Sequence, residues 1–260
     1  MKSVLLAFAM FSRIPVRQPG LGGENPCHAM AAFPLVGLVI GLGLLGWAGL
    51  SAYLGFGPLL RGAGFTLLPL CLSGGIHVDG FCDTVDALAS HGDHAIRQRI
   101  LRDPHMGSFA ALALCGYYIL FFALAAEVCL PWPRLVCLGL AFAVSRSVVG
   151  LAVLGVPGVP ESTLARHFQK GDSGQASRLL LWGWLAVLGL VLWMLDGVTG
   201  LVAIALPLVL LWRWKGFSVR HFGGMSGDLA GYLLLLCELA SLAALVIVPH
   251  ILLKLQAVQV

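Results

Sequence analysis

Long, uninterrupted apolar segments dominate this 260-residue chain and limit the folds that are open to it. Hydrophobic residues make up 59% of the sequence and charged residues only 11%, whereas about a quarter of the residues in soluble domains are charged. Because a segment in lipid must satisfy its own backbone hydrogen bonds, such apolar segments are expected to be helices. The sequence therefore predicts an all-α fold, a polytopic membrane helical bundle of about seven spans in which residues 1–260 form one domain.

Seven segments are candidate spans, because a transmembrane helix needs roughly 20 mostly apolar residues. They are residues 29–55, 62–77, 108–130, 135–156, 179–195, 198–212 and 229–253. The second is short and contains Pro69, and the fifth and sixth are separated only by Asp196, Gly197 and their neighbours, which predicts a tight helical hairpin. The start, MKSVLLAFAMF, is too short to span and predicts an interfacial or packed helix. Residues 1–28 are charged and lack a cleavage site, so no removable signal peptide is expected.

The cations fall unequally on the two sides of the predicted spans. With a cytoplasmic N-terminus, Arg61, Arg134 and Lys254 lie outside, Arg146 lies within the fourth span, and every other lysine and arginine lies on the cytoplasmic side. Cytoplasmic loops of membrane proteins are enriched in these residues. The polar segments 78–107, 157–178 and 213–228 are therefore predicted to face the cytoplasm. No run of cations is dense enough to indicate nucleic-acid binding, and the seven single cysteines are interpreted as small buried residues.

An acidic segment, GGIHVDGFCDTVDALASHGD (residues 74–93), stands out in this apolar sequence. If the helix of the second span continues through it, Asp79, Asp83 and Asp86 occupy positions i, i+4 and i+7 on one face. Like charges at this spacing destabilise a helix by some tenths of a kcal/mol per pair, so a cation is expected to offset them. Carboxylate oxygens favour Mg²⁺ or Mn²⁺, which bind through a few carboxylates and substrate phosphates. The alternative for any one of these aspartates is a solvated helix face without a chemical role.

Groups that suit an anionic substrate surround this acidic face. Gly74 and Gly75 would let a phosphate approach the backbone. The cationic and imidazole groups that follow are Arg97, Arg99, Arg102 and His105. A metal on the phosphate oxygens and guanidinium groups on the remaining charge are what phosphoryl transfer requires.

Two further charged residues lie in or beside the apolar segments. Asp228 follows GGMSG at the start of the seventh span, and it is interpreted either as an N-cap carboxylate or as a metal or substrate contact. An arginine in mid-span costs at least a few kcal/mol and normally faces a cavity or a partner. Arg146 is therefore either a substrate contact or one half of an ion pair with Glu127 or Glu238.

Three motifs resemble those of the cobalamin synthases, membrane enzymes that are also called adenosylcobinamide-GDP ribazoletransferases. The motifs are GGIHVDGFCDTVDAL (74–88), ILRDPHMGSFA (100–110) and GGMSGDLAG (223–231), and a fitting ARH triplet stands at 165–167. Ala87 replaces a glycine that is frequent in the family, and Ala110 replaces a second one. These departures affect local backbone geometry.

The resemblance implies a Mg²⁺-dependent transferase of the bacterial inner membrane with its active site on the cytoplasmic side. A ribose hydroxyl of α-ribazole, or of α-ribazole 5'-phosphate, would attack the phosphate next to the corrinoid aminopropanol of adenosylcobinamide-GDP. The products would be adenosylcobalamin, or its 5'-phosphate, and GMP. The sequence leaves open which hydroxyl attacks, and whether the bundle forms a homo-oligomer or associates with other enzymes of the corrinoid pathway.

The resemblance also implies roles for single residues. Asp79, Asp83 and Asp86, together with Asp228, would hold one or two Mg²⁺ ions against the diphosphate. One of the first three, or Asp103, would accept the proton of the attacking hydroxyl. The remaining predicted substrate contacts are Gly74, Gly75, His77, Arg102, His105, Arg146, Arg166 and His167, of which Arg102 or Arg166 would neutralise charge on the departing GMP. For His77 and His105 the alternatives are to orient a carboxylate or to cap a helix end.

The sequence leaves two other functions open. A lipid enzyme similar to the CDP-alcohol phosphotransferases would use the same metal chemistry, but its DGxxAR signature is absent because Cys82 and Asp83 follow Phe81. A transporter would need ionisable residues near the midplane of several spans, and Arg146 and Glu238 are nearly the whole set.

Overall fold

The computed structural model describes residues 2–16, 27–128, 131–159 and 173–258. Within these ranges the backbone forms helices and no strand, as predicted. The helices are α1 (Lys2–Phe11), α2 (Cys27–Tyr53), α3 (Pro58–Ser73), α4 (Ile76–Ala89), α5 (His94–Ile100), α6 (Ser108–Glu127), α7 (Trp132–Gly155), α8 (Ser173–Phe222) and α9 (Gly227–Val258). Helices α2, α6, α7, α8 and α9 are long and apolar enough to cross a membrane, and α3 with α4 makes a sixth candidate that is bent by 95°. The chain is a multi-pass helical membrane protein.

Helix α8 consists of two antiparallel arms that meet at a sharp bend. Asp196 (φ −140°) and Gly197 (φ 52°) leave the helical region of backbone space. A Cβ atom on Gly189 would lie 3.4 Å from the side chain of Ile204, whereas residues 15 apart in a straight helix are separated by about 22 Å. The predicted hairpin is confirmed. The seven predicted spans thus correspond to α2, α3, α6, α7, the two arms of α8, and α9.

Polar contacts connect the helices at the two ends of the bundle. At one end, Arg134 donates two hydrogen bonds to the carboxylate of Asp196, at 2.8 and 3.1 Å. At the other end, α5 is fastened to the end of α8, where Arg97 donates to the backbone oxygen of His221 at 3.0 Å and Gln98 donates to that of Phe222 at 3.1 Å. The basic segments 94–102 and 213–222 therefore meet at one end of the molecule.

Helices α2 and α7 form the centre of the bundle, where glycines allow close backbone contact. A Cβ atom on Gly37 would lie 2.3 Å from the backbone oxygen of Phe142, and one on Gly41 would lie 2.5 Å from that of Gly139. Small residues at a helix crossing let two backbones approach in this way, which is the usual basis of helix packing in membranes. The core of the fold therefore depends on residues that contribute no side chain.

The second predicted span does not continue as one helix into the acidic segment, so that expectation is wrong. Helix α3 ends at Ser73, where Gly74 (φ 72°) and Gly75 (φ 79°) both adopt the left-handed conformation. Two consecutive residues of this kind cannot extend a right-handed helix, and glycine adopts the conformation at little cost. The pair of glycines thus supplies the 95° bend between α3 and α4, and the aspartates lie on a separate helix.

Helix α1 packs against α2 and buries Ala7 and Phe11, which supports a packed rather than an interfacial helix. The cysteine prediction is partly wrong. Cys82, Cys137 and Cys237 are buried, but Cys71 and Cys115 are exposed. These two residues lie on faces of α3 and α6 that point away from the bundle, where an apolar environment would come from lipid.

Replacing Gly41 with leucine should lower the thermal stability of the detergent-solubilised protein. The new side chain would force α2 away from Gly139, and overpacking of a tight contact costs about 1–3 kcal/mol. Gly46→Leu is the matched control on the same helix, because no described atom lies within 4 Å of a Cβ atom at that position. Thermal melting monitored by circular dichroism should show a lower Tm for Gly41→Leu and an unchanged Tm for Gly46→Leu. Equal melting of both variants would contradict the close α2–α7 contact.

Candidate active site

Helix α4 has one buried and one acidic face. Its buried positions include His77, Phe81 and Ala87, and this face packs against α6 and α9. Phe81 is stacked on Tyr232 of α9, with ring centroids 5.4 Å apart. Because Asp79, Asp83 and Asp86 lie within the regular helix Ile76–Ala89, they share the other side on successive turns, as the spacing predicts.

Asp228 joins these residues because α4 and α9 touch at two glycines. A Cβ atom on Gly80 would lie 2.7 Å from Cα of Asp228, and one on Gly231 would lie 2.6 Å from the backbone oxygen of His77. The contact places the first turn of α9 directly beside Gly80, between Asp79 and Asp83 in sequence. Asp79, Asp228 and Asp86 all repel the charge of Asp83. We refer to Asp79, Asp83, Asp86 and Asp228 as the acidic cluster.

Asp86 has a second, structural set of contacts. Its carboxylate accepts hydrogen bonds from the backbone N–H of Gly107 at 2.6 Å and from that of Ala110 at 2.9 Å. Helix α6 begins at Ser108, and its N-cap residue Gly107 has no side chain to accept these hydrogen bonds. Asp86 therefore does for α6 what an N-cap side chain normally does. A Cβ atom on Gly107 would lie only 2.7 Å from Oδ1 of Asp86. These contacts connect the first sequence motif directly to the second.

The other three carboxylates of the acidic cluster are less engaged. Ser226 Oγ donates to Asp228 at 3.4 Å, while Asp79 and Asp83 accept no side-chain hydrogen bond from within residues 2–16, 27–128, 131–159 and 173–258. No three His, Cys, Asp or Glu side chains in these same ranges are grouped so that they could hold a metal ion. The oxygen-only donor set has the chemistry that Mg²⁺ prefers, but the carboxylates would have to turn towards one another to bind it.

The predicted residues Asp103 and His105 pair with each other on an exposed loop. Asp103 accepts a hydrogen bond from the backbone N–H of His105 at 3.0 Å and lies 2.7 Å from its Nδ1. These hydrogen bonds lower the pKa of the Asp103 carboxyl. Arg102 is also exposed on this loop.

Arg146 lies in the interior of the bundle and pairs with Glu238, one of the two partners that the sequence left open. It is 1% exposed and Glu238 is 7% exposed, and Arg146 also donates to the backbone oxygen of Phe142 at 3.0 Å. A small cavity of about 30 Å³ beside this pair is lined by His77 and Tyr117 as well. His77 Nδ1 and Arg146 Nε are buried without a hydrogen-bond partner within the described parts of the chain.

A larger cavity of about 220 Å³ adjoins the acidic cluster. Asp79 and Asp228 contribute to one part of its wall, and apolar residues of α1, α2 and α7 form most of the rest, among them Phe11, Phe33 and Val153. These apolar residues were missed by sequence reasoning because a single apolar residue on a membrane helix carries no functional signal.

Arg166 and His167 lie outside the described residues. The described chain that precedes them is held close to the acidic cluster, since Val159 donates its backbone N–H to the oxygen of Met225 at 3.1 Å, and Met225 donates to Pro157 at 2.8 Å. Gly74 and Gly75 form the α3–α4 bend, so their predicted contact with a phosphate stays a prediction. The predicted roles of the other site residues likewise remain predictions.

Comparisons with known proteins match nearly the whole chain. Residues 3–246 match the family described as cobalamin-5-phosphate synthase, CobS. The adenosylcobinamide-GDP ribazoletransferase of Lachnoclostridium phytofermentans is 32% identical over 247 residues, which are 95% of this chain and 94% of that protein. The protein of the same name from Pseudomonas savastanoi pv. phaseolicola is 32% identical over 247 residues, covering 92% of this chain and 97% of its own. No solved structure matches the chain.

The different contacts of Asp86 and Asp83 predict different effects of their replacement on stability. Asp86→Asn should destabilise the protein by about 1–3 kcal/mol, because an amide nitrogen cannot accept the hydrogen bond that one carboxylate oxygen now receives. Asp83→Asn should leave the Tm unchanged or raise it, because it removes repulsion from three neighbouring carboxylates. Thermal melting of both variants in detergent without added divalent cations tests this contrast. A drop in Tm for Asp83→Asn and none for Asp86→Asn would reverse the assignment.

Proposed function

Because the chain belongs to the cobalamin-5-phosphate synthase family, we propose that it transfers a ribazole onto adenosylcobinamide-GDP. A ribose hydroxyl of α-ribazole or α-ribazole 5'-phosphate forms a new bond to the phosphorus next to the corrinoid aminopropanol. The bond between that phosphorus and the bridging oxygen of the diphosphate breaks, and GMP leaves with this oxygen. The proton of the hydroxyl passes to a base, and adenosylcobalamin or its 5'-phosphate remains. The name shared by the relatives supports this reaction.

The acidic cluster is the observation that carries the proposal. Four aspartates from α4 and α9 lie near one another although Asp79, Asp86 and Asp228 repel the charge of Asp83, which is expected where a cation and an anionic substrate bind together. Asp79, Asp83 and Asp228 would hold Mg²⁺, and Asp86 would connect them to α6 through its hydrogen bonds to Gly107 and Ala110. When bound, the ion would neutralise charge on the diphosphate oxygens.

A carboxylate of the acidic cluster is a better candidate for the base than Asp103. The hydrogen bonds from His105 lower the pKa of Asp103, and a carboxylate with a lower pKa accepts a proton less readily. Asp103 is also exposed, so water would compete with the substrate hydroxyl for hydrogen bonds to its carboxylate. We therefore assign Asp103 and His105 to the surface loop that leads into α6.

The active site is proposed to face the cytoplasm of a bacterial cell from its inner membrane. The α4–α5 segment and the end of α8 meet at one end of the bundle, and both segments carry cations of the kind that mark a cytoplasmic side, among them Arg97, Arg99, Arg213 and Arg220. Because the chain bends by 95° between α3 and α4, the aspartates of α4 would stay near this end, where soluble substrates arrive.

The alternative functions receive less support. A transporter would use ionisable groups in the middle of its spans. Within the described residues these groups are mainly Arg146 and Glu238, and the two form a buried ion pair with each other. A lipid enzyme would share the acidic cluster, so the identity of the substrate has to be tested directly.

Purified protein should release GMP from adenosylcobinamide-GDP only when α-ribazole or its phosphate and Mg²⁺ are present. Asp79→Asn, Asp83→Asn and Asp228→Asn should each slow the release by more than about 100-fold, since loss of even an outer partner of a metal ligand commonly costs 10–100-fold. Asp93→Asn is the matched control, because Asp93 caps α5 through a bond to Ile96 and lies outside the acidic cluster. Chromatographic detection of GMP and of the corrinoid product measures both halves of the reaction.

Chelation should stop the reaction, and added Mg²⁺ should restore it. Turnover that survives complete removal of divalent cations would refute the metal-dependent mechanism. Turnover of CDP-linked lipids without any GMP release would instead identify the protein as a lipid enzyme.

A further inference from the structure

The 220 Å³ cavity beside the acidic cluster has a wall of unusual composition for a site that handles phosphates. The polar side chains among its described lining residues are Asp79, Asp228 and His77. Elsewhere the wall is apolar and partly aromatic, with the rings of Phe11 and Phe33 only 4.3 Å apart. A cavity with carboxylates on one side and hydrocarbon on the other fits a ligand that has one polar and one apolar end.

The size of the cavity limits what it can enclose. Pockets that enclose a whole drug-sized ligand measure roughly 300–1,000 Å³, so 220 Å³ suits a single ring system and excludes a corrin macrocycle. Guanine is a poorer occupant, because a carboxylate could accept from its N1–H and amino group, but its acceptors O6, N7 and N3 would share the single imidazole N–H of the described lining. Burying a polar group without a partner costs about 1–3 kcal/mol. A bicyclic aromatic base with hydrocarbon edges meets neither difficulty.

His77 adds a specific polar contact for such a base. Its side chain is 7% exposed and lines both this cavity and the smaller one beside Arg146. Its Nδ1 is buried without a partner within the described residues, and its ring lies 5.8 Å from that of Phe33. A neutral imidazole carries one N–H donor and one acceptor, and so offers one N–H to a ring nitrogen that has a free lone pair.

We propose that this cavity binds the base of the nucleoside acceptor, a methylated benzimidazole in the case of α-ribazole. The apolar wall of α1, α2 and α7 receives the methylated edge, and His77 donates a hydrogen bond to the unsubstituted ring nitrogen. The ribose then lies towards Asp79 and Asp228, so that its hydroxyl reaches the acidic cluster where the phosphate is transferred. The inference rests on the proposed function and names the part of the protein that recognises the acceptor.

Filling the cavity should weaken binding of the acceptor and leave binding of the donor unchanged. Val153→Phe places a ring in the cavity wall and should raise the KM for α-ribazole by about tenfold or more, the effect of losing roughly 1.4 kcal/mol of binding. The KM of this variant for adenosylcobinamide-GDP should stay within about twofold of the wild-type value. Val187→Phe is the control, because Val187 is exposed on α8 and does not line the cavity. Gel filtration and melting in detergent verify that both variants are folded.

A second comparison tests His77 without depending on the shape of the cavity. An indole ribonucleoside carries C–H in place of the free ring nitrogen, so the wild-type enzyme should use it with about tenfold lower kcat/KM than the benzimidazole, the value of one buried hydrogen bond. His77→Ala should use the two nucleosides equally well. The same preference in both enzymes would rule out the hydrogen bond from His77.

The outcomes separate this inference from the proposed function. Absence of turnover by the wild-type protein would overturn the proposed function itself. Normal turnover with an unchanged KM for α-ribazole in Val153→Phe would overturn only the cavity assignment. A raised KM for adenosylcobinamide-GDP would assign the cavity to the donor, and a lower kcat with both KM values unchanged would mark it as structural; either result would refute the inference.

Discussion

The contact between α4 and α9 at Gly80 and Gly231 is the constraint on which the candidate site depends. Backbone atoms approach so closely there that a Cβ atom on either glycine would lie within 2.7 Å of the opposite helix. Attraction between side chains does not explain the meeting of these helices at the aspartates, because the carboxylates repel one another. Apolar burial on the other face of α4, with Phe81 stacked on Tyr232, supplies the favourable energy. The repulsion is thereby held in the folded protein, where a cation can relieve it.

A second polar layer lies behind this site. Arg146 and Glu238 connect α7 to α9 in the interior, and the charge of Arg146 acts on His77 of α4. Removing one member of a buried ion pair lowers the stability of the fold by more than the intact pair contributes to it, because the other charge is left buried without a partner. The pair therefore fixes the relative position of helices that contribute walls to the larger cavity. It is better understood as support for the site than as a contact with substrate.

Sequence reasoning could reach the features that depend on local spacing. The i, i+4, i+7 register of Asp79, Asp83 and Asp86 follows from helical periodicity, and the hairpin at Asp196 and Gly197 follows from two apolar segments around a polar, flexible pair. From the sequence alone, Gly74 and Gly75 could form either a bend in the chain or a phosphate-binding loop, since glycine suits both. The capping role of Asp86 was out of reach, because its donors are backbone groups 21 and 24 residues away, and a backbone N–H leaves no trace in sequence.

The position of the apolar cavity also bears on the membrane setting of the reaction. Most of its apolar wall is formed by α1, α2 and α7, which belong to the part of the bundle that hydrophobic packing stabilises, while its carboxylates belong to the acidic cluster. A soluble protein would have to build such an apolar wall inside a separate core, whereas a membrane bundle already has it. Charges that meet at the edge of this low-dielectric interior interact more strongly than they would in water. On the proposed assignment, an acceptor with an aromatic base and a polar ribose would be divided between the two environments, and this division would set its orientation.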